Sequence, residues 1–94
     1  MKKLDHEHLR VLDIDDLFIL SSLLENQKLS SIAKVLRITP PALSHRIKKY
    51  RENIPNFDFE VDRNSVKRFS LETEQFCNRA KMALQALEHE EIHD

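Results

Sequence analysis

The sequence predicts a small, mainly α-helical domain that carries one β-hairpin and ends in a long helix. Two observations lead to this fold class. Apolar residues recur at intervals of three and four in four separate stretches of the 94-residue chain, which is helical spacing. One short segment before the last of these stretches, FDFEV at residues 57–61, instead alternates apolar and acidic residues, as a half-buried strand does.

Length and composition narrow the class of protein. A chain of 94 residues forms one domain with a modest core, and a content of 40% hydrophobic and 33% charged residues is typical of a soluble folded protein. No apolar run approaches the roughly 18 residues of a membrane span. The first ten residues lack the apolar segment of a signal peptide. We therefore expect a cytoplasmic protein with no membrane partner.

Residue counts exclude several kinds of site. The single cysteine, Cys77, cannot form an internal disulfide or a cysteine-based zinc site, and a chain without glycine has no glycine-rich phosphate loop. The sequence contains no recognisable nucleophile with a neighbouring base. His89 and His93 have the spacing of helical metal ligands, but no third ligand accompanies them. We expect no enzyme activity, no cofactor and no metal site.

The first helix is predicted to begin at Ile14, after an ambiguous leader at residues 1–13. Leu17, Leu20 and Leu24 follow helical spacing and predict a helix that is buried around much of its circumference. It is expected to end near residues 26–28, because asparagine at position 26 can take the left-handed conformation that glycine usually supplies.

The next two helices are predicted to form a helix-turn-helix. The second helix covers residues 29–37, with Ser30 as its candidate N-cap. The third begins after Thr39, a capping residue followed by proline, and stops before Pro55. A tight turn joins the two, and the third helix carries a cationic face, as in DNA-binding helix-turn-helix proteins.

A hairpin and a long helix complete the chain. The strands are predicted at residues 57–61 and 66–71, with Asn64 at a positive φ angle in the turn between them. The helix is predicted at residues 72–92, and its apolar stripe is too long for a small domain to bury. We expect this stripe to form a homodimer, and packing against the first helix is the alternative. The expected dimer contacts are Phe76, Ala80, Ala83, Leu84 and Leu87.

Charge is distributed unevenly along a chain whose formal net charge is only −1. Residues 34–51 contain six basic residues and no acid, and residues 63–70 contain three basic residues and no acid. Acidic residues outnumber basic ones everywhere else. Two basic islands of this kind are typical of a nucleic-acid-binding surface. The alternative is that they are only the solvated faces of helices.

The run LSSIAKVLRITPPALSHRIKKY at residues 29–50 resembles the N-terminal DNA-binding domain of LysR-type transcriptional regulators. That family has a second helix with a small residue, followed by the pattern S/T-x-P-A-V/L-S-x-x-I-K/R. The similarity covers about residues 14–90. The matching positions are Thr39, Pro41, Ala42, Leu43, Ser44, Ile47 and Lys48.

The resemblance implies that the third helix, residues 39–52, enters the major groove of DNA, and that the hairpin forms a basic wing at residues 62–70. The long helix would be the linker helix that pairs two subunits. This sequence departs from the family at Pro40, where glutamine is common, and at His45, where arginine is frequent. The predicted DNA contacts, from charge and resemblance together, are Lys34, Arg37, Thr39, Pro41, Ser44, His45, Arg46, Lys48, Lys49, Arg63, Lys67 and Arg68.

These observations predict a transcriptional regulator that binds double-stranded DNA as a homodimer, with sequence-specific or semi-specific recognition. Residues 1–71 would form the winged helix-turn-helix domain, and residues 72–94 the dimerisation helix. The family's ligand-sensing domain does not follow, and we expect a naturally short relative rather than an excised domain. The alternative is a winged-helix interaction module that pairs with another transcription regulator and binds DNA weakly.

Overall fold

The computed structural model describes residues 12–91. Most of the predicted leader, together with His93, therefore lies outside the described residues. Within them, the chain forms four helices and one hairpin, which confirms the predicted fold class of a winged helix-turn-helix followed by a long helix. The elements are α1 (Ile14–Leu24), α2 (Leu29–Leu36), α3 (Pro40–Asn53), β1 (Phe59–Asp62), β2 (Ser65–Phe69) and α4 (Leu71–Glu91).

Helix α1 begins at Ile14, as predicted. Asp13 is the N-cap, and it forms a reciprocal capping box with Asp16. The Asp16 N–H donates to the Asp13 side chain, and the Asp13 N–H donates to the Asp16 side chain. The helix ends at Leu24, and Asn26 takes a left-handed conformation at φ 60°, as predicted. Three apolar residues of α1 are fully buried: Ile19, Leu20 and Leu23.

Helix α2 does not begin as its sequence predicts. Its N-cap is Lys28, which provides no side-chain hydrogen bond, and Ser30 lies inside the first turn. The predicted N-cap is therefore wrong, and the physical reason is that a residue of the hairpin supplies the missing hydrogen bonds, as described below. The helix ends at Leu36, because Arg37 takes a left-handed conformation at φ 58°.

Helix α3 agrees with the prediction at both ends. The Thr39 side chain accepts a hydrogen bond from the Ala42 N–H at 3.2 Å, and Pro40 occupies the first helical position. The helix ends at Asn53. Ile54 is then extended, as a residue that precedes proline usually is.

The hairpin is shorter than predicted, because β1 starts at Phe59 and β2 ends at Phe69. Asp62 pairs with Ser65, so Arg63 and Asn64 form a two-residue turn, and both have positive φ angles of 52° and 71°. Positive φ at both central residues defines a type I′ turn, which suits the twist of a hairpin. The predicted conformation of Asn64 is confirmed.

Helix α4 begins one residue earlier than predicted and packs its first half along α1. Phe76, Cys77 and Ala80 are buried in the same core as the apolar residues of α1. Phe76 is 7% exposed and Ala80 is 5% exposed, so both side chains are used in the core and offer little surface to a second copy of the chain. Both are therefore removed from the predicted dimer interface, and the alternative of packing on α1 holds for this half of the helix.

An aromatic cluster joins the helix-turn-helix to the hairpin and to α4. Phe57 makes edge-to-face contacts with Tyr50 and Phe59, each at 5.8 Å between ring centroids, and with Phe76 at 6.5 Å. The position of α3 relative to the hairpin is thus fixed by the core. In the described part of the chain, no helix combines the length and apolar character needed to cross a membrane.

Candidate nucleic-acid interface

Helix α3 has an apolar face and an opposite polar face. Leu43, Ile47 and Tyr50 are buried. Pro41, Ser44, His45 and Lys48 follow the spacing i, i+3, i+4 and i+7, which places them on one side of a helix. All four are exposed. The side of α3 that is predicted to enter the major groove is therefore accessible.

The structure exposes all but one of the residues that were predicted to contact DNA. Helix α2 contains no acid, and the one acid of α3 is Glu52, a turn after Lys48 and Lys49 near the C-terminal end of the helix. The exposed members of the predicted set are Lys34, Arg37, Thr39, Pro41, Ser44, His45, Lys48, Lys49, Arg63, Lys67 and Arg68.

Arg46 is the exception, because its guanidinium binds carboxylates within the chain. Its Nη1 atom lies 2.9 Å from Asp16 Oδ1 and 3.2 Å from Asp13 Oδ1, and its side chain is 30% exposed. Burial alone would lower the pKa of Arg46, but hydrogen bonds and charge pairing with the two carboxylates raise it. We therefore remove Arg46 from the predicted phosphate contacts.

Asp16 joins the start of α1 to α3. Its side chain is 6% exposed and accepts hydrogen bonds from the Tyr50 hydroxyl, the Arg46 guanidinium and the Asp13 backbone N–H. Burial, together with the hydrogen bond to Asp16 and the charge of that carboxylate, raises the pKa of Tyr50 well above its usual value. The tyrosine therefore stays a hydrogen-bond donor. We name these three residues, Asp16, Arg46 and Tyr50, the Asp16 junction.

Sequence reasoning missed this junction. An acid at the N-cap and another three residues later resembles a capping box, which could have indicated the local contact between Asp13 and Asp16. The partners on α3 follow 30 and 34 residues later. No local signal in the sequence connects positions so far apart.

A cleft of about 380 Å³ lies beside the Asp16 junction, between the start of α1 and the first turns of α3. Asp13, His45 and Lys49 are among the residues that line it. In the described part of the chain, no buried side-chain nitrogen or oxygen lacks a hydrogen-bond partner.

Burial alone would raise the pKa of the Asp13 carboxylate. Its hydrogen bonds with Asp16 and Arg46 outweigh burial, so the pKa lies below its usual value.

The wing exposes three cations, but one acid, Glu60, accompanies two of them. Arg68 lies 4.0 Å from Glu60, and Lys67 is paired with Glu60 across the hairpin. The Arg68 and Glu60 side chains are mostly exposed, so water screens their attraction and the pair holds neither side chain firmly. Arg63 occupies the tip of the turn.

Arg51 belongs to the first basic island but has a different use in the structure. Its guanidinium stacks over the Phe59 ring at 4.8 Å and donates a hydrogen bond to the Phe59 carbonyl oxygen at 3.1 Å. This cation–π contact ties the C-terminal turn of α3 to the first strand of the wing. Arg51 therefore helps to hold the first basic island, on α3, in a fixed position relative to the second, on the hairpin.

Metal ligands do not gather in the described residues, where no group of three histidine, cysteine or acidic side chains could hold an ion. His93, one of the two histidines with helical spacing, lies outside them.

In comparisons with protein families, curated proteins and solved structures, nothing matches the chain. The resemblance to LysR-type regulators therefore rests on the motif at residues 29–50 and stays a prediction.

Proposed function

We propose that this chain is a transcriptional regulator that binds double-stranded DNA, with α3 in the major groove and the hairpin along the sugar–phosphate backbone. One observation carries the proposal. The polar face of α3 is exposed along its length and lies opposite the buried face, and no acid precedes Glu52 on this helix. A helix of this kind fits the major groove, which is wide enough to admit it. The proposed place of action is the cytoplasm.

The exposed residues divide into two chemical roles. Lys34, Arg37, Lys48 and Lys49 would bind phosphates, which supplies affinity without reading the sequence. Ser44 and His45 would donate or accept hydrogen bonds at base edges. Pro41 has no donor and offers only apolar contact, for example to a thymine methyl group. We therefore expect moderate sequence specificity.

The proposed regulator acts as a homodimer through the second half of α4. Ala83 and Leu87 are exposed and Leu84 is half-buried, and all three extend the stripe that Phe76 and Ala80 begin in the core. Pairing of two such helices would bury these residues. A symmetric dimer would bring its two α3 helices to successive major grooves, about 34 Å apart.

The first experiment measures fluorescence anisotropy of a labelled random duplex across a range of salt concentrations. We expect log K to fall with log salt with a slope steeper than about −3, because each neutralised phosphate contributes about 0.9 to the slope. The Lys48→Ala variant should bind all duplexes more weakly and reduce the slope by about one contact. Ser44→Ala should instead change the ranking of duplexes in a panel of different sequences.

The matched control is Lys81→Ala, which removes the same charge from α4, where Lys81 pairs with Glu25 at 3.2 Å. Its affinity and slope should equal those of the unmodified chain. Two results would contradict the proposal. One is binding that is absent at low ionic strength or insensitive to salt, and the other is an equal loss from Lys81→Ala and Lys48→Ala.

A second candidate function is a protein-interaction module that pairs with another transcription regulator. Exposed apolar residues on α4 favour it: Leu71 and Met82 are each 64% exposed, on a helix whose first turn is acidic. The net charge of −1 is also low for a DNA-binding protein. Mixed dimers with a second regulator, combined with DNA binding that does not respond to salt, would support this alternative.

A further inference from the structure

The tip of the hairpin caps helix α2. The Leu29 N–H donates to the Asn64 backbone oxygen at 3.0 Å, and the Ser30 N–H donates to Asn64 Oδ1 at 3.2 Å. Asn64 Nδ2 donates in return to Ser30 Oγ at 2.5 Å. Lys28, the N-cap of α2, contributes no side-chain hydrogen bond. Two of the N–H groups that every helix leaves unpaired at its start are thus satisfied by Asn64, which lies 34 positions after Ser30 in the chain.

Asparagine meets two requirements at this position. The turn needs a positive φ angle, here 71°, which asparagine tolerates better than most residues. The contact with Ser30 needs both an acceptor and a donor on one short side chain, which an amide provides. Glycine would satisfy only the first requirement, and aspartate would lack the donor.

These contacts hold the free end of the wing. A two-stranded hairpin is marginally stable alone. Core burial anchors this hairpin at Phe59, at its base, and at Val66, one residue pair before the turn. Its tip is exposed, and Asn64 fastens it to the helix-turn-helix. Arg63 precedes Asn64 in the turn, and Lys67 lies one residue beyond Val66.

We infer that Asn64 is a positioning residue for DNA binding: it fixes the wing to α2, so that Arg63 and Lys67 stand at a set distance from the polar face of α3. The inference rests on the proposed function. Groups that are ordered before binding lose less conformational entropy when they contact phosphates. Asn64 therefore raises affinity without contacting DNA itself.

The test is a double-mutant cycle in DNA affinity with Asn64→Gly and Lys67→Ala. Asn64→Gly keeps the positive φ angle and the backbone oxygen that accepts from Leu29, and removes only the side-chain bonds to Ser30. We expect it to weaken binding about two- to tenfold, the cost of ordering one mobile side chain. Lys67→Ala should then cost less in the Asn64→Gly chain than in the unmodified chain, because a loose wing holds Lys67 poorly.

The control cycle pairs Asn64→Gly with Lys48→Ala, whose position on α3 does not depend on the wing tip. These two substitutions should act independently, so that their fold-changes in DNA affinity multiply in the double mutant. A role in stability alone would lower the unfolding midpoint and make the effects multiply in both cycles. Ser30→Ala removes the single bond from Asn64 Nδ2 to Ser30 Oγ, and should show weaker coupling to Lys67→Ala. If Asn64→Gly does not fold, the coupling between Ser30→Ala and Lys67→Ala tests the positioning role instead.

The outcomes separate the inference from the function on which it rests. If the unmodified chain shows no salt-dependent DNA binding, the proposed function is overturned and the role of Asn64 with it. If the chain binds DNA but Asn64→Gly and Lys67→Ala act independently, the positioning role is overturned and the proposed function stands.

Discussion

At the scale of single residues, Asp16 connects the start of α1 to the helix proposed to contact DNA. A buried carboxylate is costly unless hydrogen bonds replace its water. Here donors come from the Tyr50 hydroxyl, the Arg46 guanidinium and the Asp13 backbone. Bonds of this kind are directional, so they orient α3 more strictly than the apolar contacts of Leu43 would alone.

Replacement of Asp16 tests this view. We expect Asp16→Asn to lower the free energy of unfolding by about 1.5–3 kcal/mol, because a hydrogen bond to a charged group is lost and Arg46 loses its buried partner. Asp15→Asn is the matched control, since it removes the same charge from the same helix turn and should cost no more than about 1 kcal/mol. Urea denaturation of both variants measures the difference. Equal losses would show that Asp16 acts only through the helix dipole.

At the scale of the elements, a chain without glycine still has to turn. Left-handed conformations cost a residue with a β-carbon about 1–2 kcal/mol, and asparagine lowers this cost by local hydrogen bonding. In the described part of the chain, three asparagines and three arginines have positive φ angles. They are Asn26, Arg37, Asn56, Arg63, Asn64 and Arg68. The turn between α2 and α3 contains one of the costly arginines.

Two replacements of Arg37 separate its conformation from its charge. Arg37→Gly should raise the free energy of unfolding by about 0.5–1 kcal/mol, because relief of the left-handed strain exceeds the extra entropy of glycine in the unfolded chain. Arg37→Ala keeps the strain and should not stabilise the protein. Both remove one proposed phosphate contact and should weaken DNA binding equally. Thermal unfolding and anisotropy would measure the two effects, and a stabilising Arg37→Ala would contradict this explanation.

At the scale of the whole molecule, α4 is longer than the core that it completes. The helix has 21 residues, which corresponds to about 31 Å. Lys81 forms an ion pair with Glu25, immediately after the end of α1, and residues 85–89 are exposed. The first half of α4 is therefore part of the folded domain, and the second half extends beyond it.

The proposed dimer predicts that substitutions on the two sides of α4 have different effects on self-association. Leu87 lies on the stripe that continues from the core and is 44% exposed, whereas Met82 lies on the opposite side and is 64% exposed. Leu87→Glu should weaken self-association at least tenfold, because it replaces a buried apolar contact with a charge. Met82→Glu is the matched control and should not change it. Sedimentation equilibrium measures both variants, and equal effects would contradict pairing through this stripe.

The sequence alone determined the fold class and most helix ends. Capping and helix-breaking residues act on neighbours within one turn, so Thr39 and Pro55 set the limits of α3 as predicted. Asn26 and Asn64 have the predicted positive φ angles for the same local reason. The exposure of Lys48 also follows from its helical spacing relative to Leu43 and Ile47.

The tertiary structure decided the features that depend on distant partners. Ser30 is a residue type that commonly caps helices, but Asn64 from the hairpin supplies the hydrogen bonds at the start of α2. Arg46 has the charge of a phosphate-binding residue, but its guanidinium binds Asp16 instead. Phe76 has the spacing of a dimer contact, but it packs in the core. Spacing indicates which face of a helix is apolar or charged, whereas the partner of that face depends on how the chain folds back on itself.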